Sequence, residues 1–224
     1  MRRRSSGHTD QQTISTMVAP IIHQLILNDI PTSMIWMCVS SWEKMKRFGF
    51  EIKRWNYTAI RDFIQANYPQ ALGPFLQARN LAEASDIARY LIVYHYSGYY
   101  IDWDIELVSS ADYYAQISDL PAGYLLIDPS NGTYASECFA AVKGEPYLKN
   151  LVDDIVEAFH TPPLPRTPQY SGPFRMRETM KKSHTGQQIV AVKDMFEFDY
   201  SEIRNPYQRA VTKPLIHYWL HTWL

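Results

Sequence analysis

The chain has 224 residues, 46% hydrophobic and 20% charged, enough for one domain with a substantial core. A formal charge of −1 excludes a strong general pull toward nucleic acid or an anionic surface. No run of 18 apolar residues occurs, and no apolar stretch of signal-peptide length follows the N-terminal arginines, so the expectation is a cytoplasmic protein without a transmembrane segment.

Residues 1–15 (MRRRSSGHTDQQTIS) read as a mobile basic and polar tail, whose three arginines permit a modest peripheral contact with anionic lipid. Residues 16–224 read as a single domain. Within it, Val18 to Leu27 is an apolar run that predicts a buried first strand, closed by Asn28-Asp29-Ile30-Pro31. Met34 to Phe48 carries Ile35, Cys38, Trp42 and Met45 at helical spacing, and Gly49 ends that helix. Phe50 to Trp55 alternates as a second strand, Tyr57 to Tyr68 is helical, and Pro69 to Ala78 reads as a loop. Cys38 and Cys138 neither require a bridge nor form a zinc-type cluster.

A helix then opens at Asn80, with Glu83 at the capping-box position. Leu81, Ala84, Ala88, Leu91 and His95 form its apolar stripe, and Ser85, Asp86 and Arg89 fall off it. Asp86 and Arg89 are either a surface ion pair or an acceptor and a guanidinium facing a ligand. Ser97-Gly98 stops the helix, and Tyr99 to Glu106 reads as a strand. Strand alternation puts Tyr100, Asp102, Asp104 and Glu106 on one side, and Tyr99, Ile101, Trp103 and Ile105 in a core layer. Two co-facial carboxylates can share a hard cation, Mn2+ or Mg2+, which in turn can hold a diphosphate. The same D-x-D triplet also fits an exposed strand end.

Beyond the aspartates, helices are expected at Ala111–Gln116 and Pro146–His160, and strands at Gly123–Ile127, Ser136–Val142 and Gln187–Lys193. The four prolines of 161–168 fit a domain linker or a surface loop, the loop preferred because too few residues follow for a second domain. Alternating strands and helices predict an α/β domain with a mainly parallel central sheet flanked by helices, ligands sitting beyond the strands' carboxyl ends. At the C-terminus, His217 could complete a metal site, and the Thr222 hydroxyl and Trp223 indole could meet phosphate oxygens. The competing reading is an aromatic plug that tacks the chain end to the domain.

The run Ala84, Ser85, Asp86, Arg89, Tyr90, Gly98, Tyr100, Asp102 and Asp104 resembles the signature of the DXD-containing glycosyltransferases. The likeness is to the capsular-polysaccharide and yeast initiating-mannosyltransferase type (glycosyltransferase family 32), and more distantly to the glucosylating domains of large clostridial toxins. His23 and Gln24 extend the likeness upstream; His217, Trp219, Thr222 and Trp223 extend it downstream, with threonine for serine. Ser97, Ile26 and Asn28 depart from it, standing where the family usually has glycine, tryptophan and glycine.

The resemblance implies a GT-A fold and a metal-dependent, retaining hexosyltransferase, as in polysaccharide biosynthesis. The donor would be a UDP- or GDP-sugar, and the acceptor a glycan, lipid or protein. It implies Asp102 and Asp104 as catalytic and metal residues, with His217 as a further metal ligand. Ser85, Asp86, Arg89, Tyr100, Thr222 and Trp223 would bind the donor. Two other classes stay open. One is a non-catalytic nucleotide-sugar or metal-binding module. The other is an aspartate-nucleophile phosphohydrolase, against which Glu106 stands where that class wants threonine or valine.

Overall fold

The computed structural model describes residues 16–27, 32–204 and 210–220. The expected tail of residues 1–15, and the Thr222 and Trp223 assignments, lie outside them. The chain begins with β1 (Ile21–Ile26), α1 (Ser33–Ser41), a 3-10 turn (Trp42–Phe48), β2 (Glu51–Asn56) and α2 (Tyr57–Asn67). Gly49, at φ 83°, supplies the left-handed residue that ends the 3-10 turn. The stretch read as a loop after Tyr68 is instead α3 (Pro69–Leu76), with proline in its first turn, where no amide partner is needed.

Next come α4 (Leu81–Tyr96), β3 (Gly98–Ile101), β4 (Ile105–Leu107) and α5 (Ser110–Ser118). The chain continues through β5 (Gly123–Asp128), β6 (Thr133–Ala141), α6 (Pro146–Phe159), α7 (Thr167–Tyr170) and α8 (Pro173–Met180). β7 (Gln188–Ala191), α9 (Val192–Met195) and β8 (Leu215–His217) complete it. β8 was not foreseen, since three residues beside a proline leave no periodic signal.

Six strands form one sheet in the order β2-β1-β3-β6-β5-β7. The β1–β2, β1–β3 and β5–β7 pairs are parallel; β6 runs antiparallel to both its neighbours. Alternate residues feed two cores. Leu25, Tyr100, Leu125 and Phe139 pack under α2, α3, α4 and α6. Ile22, Ile101, Tyr124 and Cys138 pack with Trp42, Tyr113 and the small β4–β8 sheet. β4 and β8 pair antiparallel, Ile105 opposite His217, which lays a late segment beside the aspartates.

The α4–β3 junction explains two sequence features. Gly98 has φ 116°, and a Cβ there would lie 2.5 Å from the Ile21 carbonyl oxygen, so only glycine fits. Ser97 is also left-handed, at φ 65°. Its hydroxyl donates to the Ala141 carbonyl (2.9 Å) and accepts from the Ala19 amide (2.9 Å), two bonds that a glycine could not make. The departure at Ser97 thus carries its own compensation.

His23 belongs to the same junction. Its Nδ1 accepts from the Trp55 indole (3.2 Å), so Nε2 carries the proton and donates to the Ser97 carbonyl (2.9 Å). Burial lowers its pKa to about 4. The unfolded chain therefore takes up this proton first as pH falls. The contribution is full above 6.5 and is lost progressively between 6.5 and about 4, on the order of 3 kcal/mol. An NMR titration should find the His23 ring neutral at pH 5; a midpoint near 6.5 would contradict its satisfied, buried state.

Candidate active site

Helix α4 is where the sequence misleads most. Its cap forms as expected, the Asn80 side chain accepting from the Glu83 amide (3.0 Å). Yet Glu83, Asp86 and Arg89 are all buried, not solvated. The reason is tertiary: α7 and the turn after it fold across the helix face that the stripe leaves polar. Thr167 donates to Glu83 Oε1 (2.8 Å), and Ser171 donates to Asp86 Oδ2 (2.7 Å). The Tyr90 hydroxyl donates to the Ser171 carbonyl (3.0 Å). The proline-rich stretch thus leads into a polar clamp over α4.

Arg89 lies between two carboxylates. Its Nη2 is 3.4 Å from Asp86 Oδ1, and its Nη1 is 3.3 Å from Asp102 Oδ1. Nη1 also donates to the Ser136 carbonyl (2.7 Å), and the guanidinium lies over the Tyr100 ring, 4.7 Å from its centroid. Burial raises Asp86 and Asp102 to about 6 each, against the pull of Arg89. Arg89 itself, disfavoured by burial, is held strongly protonated by Asp102, Tyr100 and Asp86.

The strand ends sooner than alternation predicts. β3 stops at Ile101, and Asp102-Trp103-Asp104 forms a turn closed by the Ile105 amide on the Asp102 carbonyl (3.2 Å). Asp102 keeps the Tyr100 side and accepts from the Tyr100 hydroxyl. Trp103, expected in a core layer, instead lines the cavity described below, because the turn frees it from strand alternation. Glu106, expected beside the aspartates, is on β4 and accepts from the Tyr218 hydroxyl (2.6 Å).

Asp104 belongs to the C-terminal segment as much as to its own. Its Oδ2 accepts from the Leu220 amide (2.8 Å), and its Oδ1 is 3.4 Å from His217 Nε2. Burial works against the Asp104 charge, but His217 and the backbone amide bonds, Leu220's among them, together outweigh it and hold the pKa below the usual range. His217 is raised correspondingly, Asp104 overcoming burial. Its Nδ1 is buried without a hydrogen bond, 3.8 Å from Glu137 Oε1. Trp219 stacks on the imidazole at 4.2 Å, held there by a left-handed backbone (φ 45°) that a bulky residue rarely adopts.

A cavity of about 900 Å³ receives these groups. Ser85, Asp86, Arg89, Tyr100, Asp102, Asp104 and His217, all singled out in the sequence, line it. So do residues the sequence left unmarked, among them Asn131, Glu137, Phe174 and Tyr200. A signal for Glu137 did exist: it is the charged residue inside the apolar strand β6, between buried Ser136 and Cys138. Tyr200 and Phe174 sit in segments without periodicity, and nothing local marks them.

The donor set suits a hard cation that shares its coordination with a ligand. Asp102 and Asp104 offer carboxylate oxygens to one cavity. Among the described residues no three His, Cys, Asp or Glu side chains converge as a metal cage. Magnesium and manganese commonly use one or two carboxylates together with substrate phosphates. His217, expected as a third ligand, lines the same cavity, its Nε2 3.4 Å from Asp104 Oδ1.

Residues 25–121 match the family described as "Glycosyltransferase sugar-binding region containing DXD motif". "Inositol phosphoceramide mannosyltransferase 3" of Schizosaccharomyces pombe is 27% identical over 150 residues, 66% of this chain and 40% of that protein. "Inositol phosphoceramide mannosyltransferase 1" of the same organism is 27% identical over 112 residues, 50% of this chain and 34% of that protein. The chain therefore spans less than half the length of either relative. Among solved structures, "PaToxG Glycosyltransferase" superposes with a TM-score of 0.54 at 15% identity, covering 74% of this chain and 70% of that one. That likeness bears out the expected α/β fold, a mostly parallel sheet flanked by helices. No described helix is long and apolar enough to cross a membrane.

Proposed function

We propose, on the premise that this chain is a relative of the DXD-containing glycosyltransferases, that residues 16–224 form one catalytic domain that moves a hexose from a UDP- or GDP-sugar to a hydroxyl acceptor. The observation that carries this reading is one cavity lined by both aspartates of the D-x-D turn together with Ser85, Asp86 and Arg89. In the reaction, the anomeric carbon exchanges a diphosphate oxygen for the acceptor oxygen. The diphosphate departs with the bonding electrons and takes up the acceptor's proton.

Asp102 and Asp104 would hold Mn2+ or Mg2+ together with the donor's diphosphate. A cation there supplies charge neutralisation and Lewis-acid help to the leaving group. The chain's own residues do the rest. Arg89 fixes the Asp102 carboxylate from one side and the Tyr100 hydroxyl from another, so that it is already oriented before ligand arrives. His217 and the Leu220 amide do the same for Asp104. Ser85, half-buried on the cavity wall, would hydrogen-bond the donor, and Asp86 would accept from a base or sugar hydroxyl. Trp219, stacked on His217, covers that side of the site from water. Retention of anomeric configuration is part of the proposal and rests on the family resemblance alone.

A thermal-shift and hydrolysis screen of UDP- and GDP-sugars with manganese and magnesium tests it. Nucleoside diphosphate should raise the melting temperature only when the cation is present, and one donor should be turned over. Protection without turnover of any donor would favour a binding module instead.

A further inference from the structure

A second cavity of about 380 Å³ opens beside the first, and the two share Thr133, Glu137, Pro173, Tyr200 and Trp219 as walls. Its floor is apolar and aromatic, with Phe196 and Phe198 almost wholly buried. Its rim is polar, with Asp128, Lys193, Asp199 and Ser201. We infer that this groove is the acceptor subsite of the proposed transferase, and that it takes an uncharged, polyhydroxylated ring such as a sugar or a cyclitol. The inference rests on the glycosyltransferase reading and adds the acceptor's place and chemistry.

Charge argues for the neutral acceptor. Among the described lining residues, three carboxylates stand against one ammonium, Lys193. That ammonium is already spent, 3.4 Å from Asp199 and bonded to Glu202. Arg204 lies over the Tyr200 ring and is outside the lining. A phosphorylated acceptor would meet net negative charge, with no cation among the described lining residues released to receive it.

The carboxylates differ in what they can offer. Asp128 is occupied by its own turn, accepting from Ser130 and Asn131. Asp199 likewise accepts from Ser201 and the Glu202 amide. Among the described residues, Glu137, at the junction of the two cavities, has only the 3.8 Å approach of His217 Nδ1. Its oxygens are thus placed to accept from hydroxyls of a ring seated in the groove. Aromatic surface beside acceptor oxygens suits the alternating C–H faces and O–H edges of a sugar ring.

The test uses the full chain with manganese and the donor that the screen identifies. Hydrolysis then reads the donor site, and transfer reads the groove. Methyl α-mannoside, myo-inositol, glucose, glucose 6-phosphate and a tyrosine-containing peptide are the acceptor probes. A neutral ring should be glycosylated with a kcat/KM about tenfold or more above glucose 6-phosphate and the peptide. Val192→Trp fills the groove from a wall that the main cavity does not share. It should cut transfer to the neutral ring about tenfold or more while donor hydrolysis stays within about twofold. Should that variant fail to fold, Ser201→Tyr at the exposed rim serves the same end. Preference for the phosphorylated sugar or the peptide, or neutral transfer indifferent to a filled groove, would overturn the inference. Absence of turnover and of nucleotide protection with every donor would fell the glycosyltransferase reading and this one with it, a result distinct from hydrolysis without neutral transfer.

Discussion

Asp104→Asn is expected to abolish cation-dependent binding of nucleoside diphosphate and to lower donor turnover by a hundredfold or more, on the order of the loss when a charge-stabilising group is removed. The fold should survive. The asparagine oxygen can still accept from the Leu220 amide, and His217, no longer facing an anion, can shed its proton and remain buried as a neutral ring. The loss of stability should be about 1.5–3 kcal/mol, the range for one hydrogen bond to a charged group. Asp102→Asn should be comparably severe for turnover, since that carboxylate is the other half of the pair. The check is manganese-dependent thermal protection by UDP and GDP. Protection by either nucleotide that is unchanged in Asp104→Asn would remove the cation from this turn.

Arg89→Ala should be the most destabilising single change in the site. The sequence alone places Arg89 on an exposed helix face, where such a change costs little. In the structure its loss leaves two buried carboxylates, Asp86 and Asp102, without their shared cation. Removing one partner of a buried ion pair typically costs about 3–5 kcal/mol. The pH dependence distinguishes this cause from lost packing. Both acids already have folded pKa values near 6, above their unfolded values, so their contribution to stability falls as pH rises through about 4 to 6. Without Arg89 both shift further up, and the window extends toward neutrality. Urea unfolding should therefore show a larger deficit at pH 8 than at pH 5. A deficit that is the same at both would mean packing, and unchanged stability with lost donor binding would restore the surface reading.

Much of the scaffold was legible in the sequence because it rests on local rules. The α4 cap, the Ser97-Gly98 break, β1, β2 and α6 follow from capping chemistry, left-handed residues and periodicity. The errors share a cause. The polar side of α4 reads as solvent-facing because a stripe says nothing about what folds over the opposite face, and the cover comes from Thr167 and Ser171, more than 80 residues later. Trp103 and Glu106 were misplaced because alternation was carried across the Asp102–Asp104 turn, which the Ile105 amide closes on the Asp102 carbonyl. Glu137 was passed over because a lone charge in a strand has no spacing to register, although a carboxylate set between buried Ser136 and Cys138 was a clue.

The β4–β8 pairing also sets a timetable for synthesis. Asp104 and the Leu220 amide that binds it are 116 residues apart. At roughly 5–20 residues per second, the ribosome needs on the order of ten seconds to make the second after the first. For that interval the nascent chain holds its D-x-D turn without His217, Trp219 or the β8 strand, and β4 has an open edge. Contacts this distant along the chain close slowly. Each new molecule thus completes this wall of the cavity only when the late segment docks on β4.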